Sequence, residues 1–230
     1  MKNRILVVAP HIDDETLGVG GTMARLAQEG HDVFVVVMAG HGDIPEPHLL
    51  GGHDRFDRIK SEGAEAMKVL GVNEPIYREL PVLMISKYYT TLEINRFTNN
   101  IVQEIRPDIL FVPYLWDVHE DHRKFADAFR VAWRPCTEHG KNIREVYMYE
   151  TVSETHWSIP YIETAFDPNT WFDISDHLST KLKAMACFES QVQPVPHARS
   201  LDALESLAKW RGSQVSVKAA EAFVMVRSLK

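Results

Sequence analysis

Only two cysteines, Cys136 and Cys187, occur in the 230-residue chain, and neither stands in a closely spaced metal-binding motif. A disulfide framework is excluded, and two reduced, mostly buried thiols are the expectation. Positive charge is scarce as a local feature: 25 Lys and Arg face 32 Asp and Glu, with no basic cluster and a formal charge of −7. That balance argues against nucleic acid or an anionic membrane as the main partner. Long apolar runs are missing as well. Nothing approaches the ~20 residues of a membrane span. At the start, Lys2 and Arg4 precede only the five apolar residues Ile5–Ala9, too few for the apolar region of a secretory signal. The expected setting is the cytoplasm. No repeat, low-complexity tract or linker-like stretch divides the chain, so residues 1–230 are expected to form one domain. With 45% apolar and 25% charged residues the composition is that of an ordinary soluble globular protein.

What is present is an alternation of buried strands and amphipathic helices. Ile5–Ala9 and Asp32–Met38 are continuous apolar runs of the kind found in central parallel strands. Between them Leu17, Met23, Leu26 and Ala27 recur at roughly helical spacing, and Gly30 stops the helix. Strand, helix, strand in so short a span is a βαβ unit. A Gly-, Pro- and His-rich loop follows over 39–54, then a helix over 55–70, a short strand over 76–80, a connection over 83–90 and a helix over 92–105. Asp108–Pro113 is the fourth buried strand, and a helix over 121–133 follows it. Farther on, 144–150 and 171–174 read as strands, and Ser175 as the N-cap of a helix running to about Glu189. The stretch 191–200 reads as a loop, Leu201–Trp210 as a helix and Ala219–Val226 as a closing strand or helix. The fold class expected is α/β: a Rossmann-like, mostly parallel sheet with helices on both faces and its active site at the carboxyl ends of the strands.

Two of those strand exits carry chemistry. The first strand runs straight into His11-Ile12-Asp13-Asp14, and the fourth is followed by His119-Glu120-Asp121-His122. Taken singly, each is ordinary loop chemistry, since Asp13 and Asp14 would also favour a helix N-terminus. Together, on the same rim of a parallel sheet, two imidazoles and a carboxylate can converge on one cation, with coordination positions left open. That donor set suits a catalytic zinc or a non-haem ferrous ion. The surplus of acidic and imidazole groups matches the base and acid that a metal hydrolase also needs. Gly18, Gly20 and Gly21 lack Gly-x-Gly-x-x-Gly spacing and follow an acidic pair, so they do not read as a dinucleotide site.

The segment Ala9-Pro10-His11-Ile12-Asp13-Asp14-Glu15 with Leu17-Gly18 and Gly20-Gly21 resembles the signature of the PIG-L/LmbE family of zinc-dependent de-N-acetylases. His119-Glu120-Asp121-His122-Arg123 resembles that family's second motif. The likeness extends through Leu70-Gly71-Val72, Tyr149-Glu150-Thr151, 196–200, Arg211-Gly212 and 220–223. Carried over by position, it implies His11, Asp14 and His122 as metal ligands and Asp13 as the general base that activates water. It implies His119 as the group that stabilises the oxyanion or protonates the leaving amine, with Asp121 holding and tuning that ring. Ile12 and Glu120 stand where the family commonly has proline, which bears on loop rigidity and changes no ligand. Family members tend to carry an arginine near the start of the helix before Leu70-Gly71; Arg55 and Arg58 lie there, but neither aligns cleanly and each reads as a solvated helix face.

The function expected is hydrolysis of the acetamide of an N-acetylated amino sugar of the GlcNAc type, a small molecule or glycoconjugate, with Zn2+ or Fe2+ as cofactor. A homo-oligomer is implied by the resemblance. Trp116, His41, His156 and Trp157 are candidates for a sugar-binding wall, and His197 and Arg199 for meeting an anionic part of a substrate. Asp43, His48 and His53 are loop residues that could border it. The alternatives are a metal-dependent phosphoesterase, which usually wants two metals about 3.5–4 Å apart, and a non-catalytic metal or sugar binder on the same fold.

Overall fold

The computed structural model describes residues 2–42 and 53–230. Its elements in chain order are β1 (Arg4–Ala9), α1 (Asp14–Gln28), β2 (Asp32–Gly40), α2 (His53–Leu70), β3 (Ile76–Pro81), a single-turn α3 (Ile85–Tyr88), α4 (Thr91–Ile105), β4 (Ile109–Pro113), α5 (Glu120–Ala132), β5 (Glu145–Tyr149), β6 (Thr170–Asp173), α6 (Leu178–Ala186), α7 (Leu201–Ser213) and β7 (Ala220–Ser228). The strands form one sheet in the order β3-β2-β1-β4-β5-β7-β6. The first five are parallel, and β7 runs antiparallel to both β5 and β6.

Alternate residues of β1 feed two separate cores. Ile5, Val7 and Ala9 join Leu17 and Met23 of α1, Met67 of α2, Met185 of α6 and Leu204 of α7. Leu6 and Val8 join Ile94 and Ile101 of α4 and Phe125 and Phe129 of α5. Burial on both faces is why β1 carries no polar alternation. The glycines of α1 allow its close approach to the sheet: a Cβ on Gly18 would overlap the Tyr149 ring, and one on Gly21 would come within 2.7 Å of Ile174. The middle of α1 is also tied down by a buried ion pair. Lys181 Nζ donates to the Leu17 carbonyl at 2.7 Å and meets Glu221 Oε1 at 2.5 Å, while Glu221 accepts the amides of Gly21 and Thr22 at 2.9 and 2.7 Å.

Several local expectations shift. The Ser175 amide and hydroxyl both donate to Asp173 Oδ1, at 2.9 and 2.5 Å. That Asx-type turn holds Ser175, whose Oγ accepts the Ala219 amide at 3.4 Å and no amide of the helix, and α6 starts at Leu178 and ends at Ala186. The helix α2 begins at His53, inside the stretch expected as loop, and the closing segment is the strand β7. Asp43 and His48 lie outside the described residues.

From β1 the chain steps outward to β2 and β3 on one side, and β4 leads to β5 on the other. β1 and β4 are direct parallel neighbours, with Ile5 opposite Ile109 and Val7 opposite Phe111. Their exits therefore flank the topological switch point of the sheet, where open α/β folds bind ligands.

Candidate metal centre

At the β1 exit the backbone makes an unusual turn. Asp13 has φ 119° and ψ −26°, on the left-handed side where side chains other than glycine are uncommon. Its side chain does not cap α1. Its amide donates to Glu15 Oε2 at 3.2 Å, and its carboxylate is left to face the cleft. One residue on, Asp14 Oδ2 accepts the His11 amide at 2.8 Å, which closes the loop. At the β4 exit, His119 occupies the N-cap of α5, its Nδ1 accepting the Asp121 amide at 3.2 Å. His122, in the first turn of α5, is fully buried.

The two exits meet. Ligand atoms of His11, Asp14 and His122 all lie within 4.8 Å of one another, as do those of His11, His119 and Asp121. Asp14 Oδ2 is 3.1 Å from His122 Nε2 and 3.3 Å from His11 Nδ1. Two buried atoms at this point have no hydrogen-bond partner: Asp14 Oδ1 and His122 Nε2, whose approach to Asp14 lacks hydrogen-bond geometry. Orphaned buried polar atoms are expensive, and a hard or borderline cation would satisfy both, so the donor set fits a metal. The charges agree. Burial would lower His122, but Asp14 and Asp117 flanking its two nitrogens raise it to about 10. Burial would raise Asp14, but His122 and His11 hold it well below the usual carboxylate range. The pocket is built for a positive charge against Asp14.

Around this centre lie the groups expected to do chemistry. Burial pushes Asp13 up to about 8, against the pull of Arg199, whose Nη1 is 3.1 Å from Asp13 Oδ2. Burial and the neighbouring His11 lower His119 to about 4, so its ring is neutral near neutral pH. With Nδ1 accepting an amide proton, the remaining ring proton sits on Nε2. Asp121 holds His119 through its backbone amide and not its carboxylate. The Asp121 Oδ2 takes His11 Nε2 at 3.1 Å and the Leu83 amide at 2.9 Å, and stands 4.0 Å from His119 Nδ1. A neutral Nδ1 has one lone pair, and the amide already fills it.

An inner cavity of about 510 Å3 is lined by His11, Asp13, Arg55, His119, Glu154 and Arg199 among others. An outer cavity of about 790 Å3 shares Arg55 and Arg199 with it and continues past Arg58, His197 and Trp157. Of the proposed sugar wall, Trp157 lines the outer cavity. His41 is buried and stacked on His53 at 3.6 Å between ring centroids, and His156 is bonded to Glu150 at 2.8 Å. Trp116 is partly exposed and lines neither cavity.

Two partners escaped the sequence reading. Asp117 lies 2.8 Å from His122 Nδ1, and Arg199 lies on Asp13. Metal-ligating histidines generally give their second ring proton to a carboxylate or carbonyl, which signals that an acid should be near His122. Asp117, Glu120 and Asp121 all qualify by spacing, so only the fold selects among them.

A profile of the PIG-L family, described as GlcNAc-PI de-N-acetylase, matches residues 6–133. The chain is 26% identical over 201 residues to a diacetylchitobiose deacetylase of Thermococcus kodakarensis, covering 82% of this chain and 70% of that one. It is 24% identical over 224 residues to a probable N-acetyl-alpha-D-glucosaminyl L-malate deacetylase 2 of Bacillus cereus, covering 91% and 94%. In three dimensions it resembles the conserved protein TT1542 from Thermus thermophilus, with a TM-score of 0.75, 22% identity and coverage of 99% and 96%. With the family profile spanning more than half of its residues, the His11–Asp14 and His119–His122 motifs included, the chain belongs to the PIG-L family of de-N-acetylases.

Proposed function

We propose that the chain is a metal-dependent hydrolase that removes the acetyl group from an N-acetylated amino sugar of the GlcNAc type, releasing acetate and a free amine. The observation that carries this reading is the pair of unpartnered buried atoms, Asp14 Oδ1 and His122 Nε2, set beside Asp13 and His119 at the switch point of the sheet. His11, Asp14 and His122 would hold the ion, zinc or ferrous iron. When bound, such an ion would polarise the acetyl carbonyl and lower the pKa of its bound water to about 7.

The chain's own groups do the rest. Asp13, whose carboxylate faces the cleft beside the proposed metal position, takes the proton of the attacking water and passes it to the departing nitrogen. His119, neutral with its proton on Nε2, donates a hydrogen bond to the oxygen on which charge develops. Asp121 fixes both rings, His119 by its amide and His11 by its carboxylate. The two candidate triads share His11 but gather at its opposite ring nitrogens, Nδ1 facing Asp14 and Nε2 facing Asp121. The proposed deacetylase needs only the ion on His11, Asp14 and His122, whereas a phosphoesterase usually wants two. A pure binding protein would have no use for Asp13. Residues 1–230 read as one deacetylase domain. The thiols are less buried than expected, Cys136 being exposed and Cys187 half-buried; a cytoplasmic setting rests on the sequence reading and a homo-oligomer on the family resemblance alone.

The test is acetate release from a panel of N-acetylated sugars by purified protein loaded with zinc or ferrous iron. Acetate from at least one GlcNAc compound, with about one metal per chain, is expected. A protein that binds metal but releases no acetate from any N-acetyl sugar would overturn the reading.

A further inference from the structure

The side chain that meets Asp13 comes from the far end of the sequence. Arg199 sits in the loop between α6 and α7, 186 residues from Asp13, and its Nη1 lies 3.1 Å from Asp13 Oδ2. Its Nε donates to Ser153 Oγ at 2.9 Å, and its Nη2 reaches Glu154 Oε1 at 3.4 Å. Among the described residues, Arg199 is the only side chain hydrogen-bonded to the Asp13 carboxylate. Arg199 is 21% exposed and Asp13 2%, so the pair is largely removed from water.

The loop that delivers Arg199 is braced. The His197 amide donates to Pro194 O, the Ser200 amide to His197 O and the Arg199 amide to His197 Nδ1, each at 3.0 Å. Ser200 Oγ then caps α7 by accepting the Ala203 amide at 3.1 Å. A guanidinium gripped at Nε and Nη2 has little freedom left at Nη1. Its planar fork fixes an angle as well as a distance, which an ammonium cannot do. Asp13 needs such a hold, because it sits at a positive φ and lacks the capping bond that an aspartate at a helix start commonly makes.

We infer that Arg199 is a positioning residue for the base: it orients the Asp13 carboxylate toward the water to be deprotonated, from a loop outside both metal motifs. This rests on the deacetylase reading for its kinetic consequence and on geometry alone for its structural one.

The test compares Arg199→Met, Arg199→Lys, Asp13→Asn and the double variant Asp13→Asn/Arg199→Met, all as full-length metal-loaded protein. A misplacement of the order of 1 Å costs about 10²-fold, so Arg199→Met is expected to lower kcat by about that factor. KM and metal content stay unchanged. Arg199→Lys recovers part of the loss, and the double variant is no slower than Asp13→Asn alone. In crystals of Arg199→Met the Asp13 carboxylate is expected to rotate away or to split between two orientations. Raised KM with intact kcat would make Arg199 a substrate contact, and an equal further loss in the Asp13→Asn background would make it merely structural. Either result, or an unmoved Asp13, overturns the inference. The crystallographic readout needs no turnover, so a chain inactive on every N-acetyl sugar would sink the deacetylase reading while Asp13's position still decides this one.

Discussion

His122 Nδ1 lies 2.8 Å from Asp117 Oδ2, and neither side chain is open to solvent. The contact fixes which way the ring faces and leaves Nε2 as the nitrogen turned toward Asp14. Partners of this kind typically carry 10–100-fold in metal affinity. Asp117→Ala is therefore expected to weaken metal binding by about 10- to 100-fold, measured by competition with a chromogenic chelator. Unchanged affinity would remove Asp117 from the metal centre.

The proposed division of labour, with His11, Asp14 and His122 as ligands and Asp13 and His119 as catalytic groups, separates metal content from rate. His122→Ala is expected to lose the metal, whereas His119→Ala keeps it and loses activity. Asp13→Asn is expected to keep about one metal per chain and to lose at least about 10²-fold in rate, the lower range for removing a general base. Elemental analysis beside acetate release reads both quantities. Full activity in Asp13→Asn would mean that the base lies elsewhere.

The Lys181–Glu221 pair is a stability device behind the site. Both side chains are at most 5% exposed, and together they anchor the middle of α1, the helix whose first residue is Asp14. Lys181→Met strands a buried carboxylate, at a cost of about 3–5 kcal/mol. Replacing both residues by apolar ones of similar volume is expected to recover much of that. Urea unfolding of the three proteins measures it, and a loss under about 1 kcal/mol for Lys181→Met would show the carboxylate to be solvated or neutral.

Glu150 makes stability depend on pH. Burial would raise its pKa, but His156 and the two bonds from Arg211, at 2.8 and 2.6 Å, hold it below the ordinary value. A carboxylate depressed in the folded state stabilises the protein above its unfolded pKa of about 4.3. That contribution is lost as pH falls through the lower folded value. Arg211→Met is expected to cost about 3–5 kcal/mol near neutrality. The gap from wild type should close as pH drops below about 4, because a protonated Glu150 no longer needs the arginine. A gap independent of pH would assign the loss to packing.

Much of this was legible in the chain because the signals are local. A strand buried on both faces must be apolar throughout, so Ile5–Ala9 announced itself, and with it the abruptness of His11-Ile12-Asp13-Asp14. Boundaries were less legible where a side chain had two options. Ser175 can cap a helix or close a turn on Asp173, and the turn prevails because Asp173 lies two residues before it. Asp121 offers two groups to His119, and spacing alone does not tell amide from carboxylate. The fold presents the Leu83 amide and His11 to the carboxylate, which leaves His119 to the backbone.

By itself the sequence determined the α/β alternation, the parallel arrangement of β1 and β2, and the residue types at the exits of β1 and β4. These follow from periodicity and from the short reach of the chain around each strand end. The tertiary structure alone set β1 beside β4 and decided the partners: Arg199 on Asp13 and Lys181 and Glu221 beneath α1 from afar, and Asp117, chosen over its acidic neighbours, on His122. Such pairs leave no periodic mark, because a charge seeks its partner through space at about 3 Å, whatever the separation along the chain.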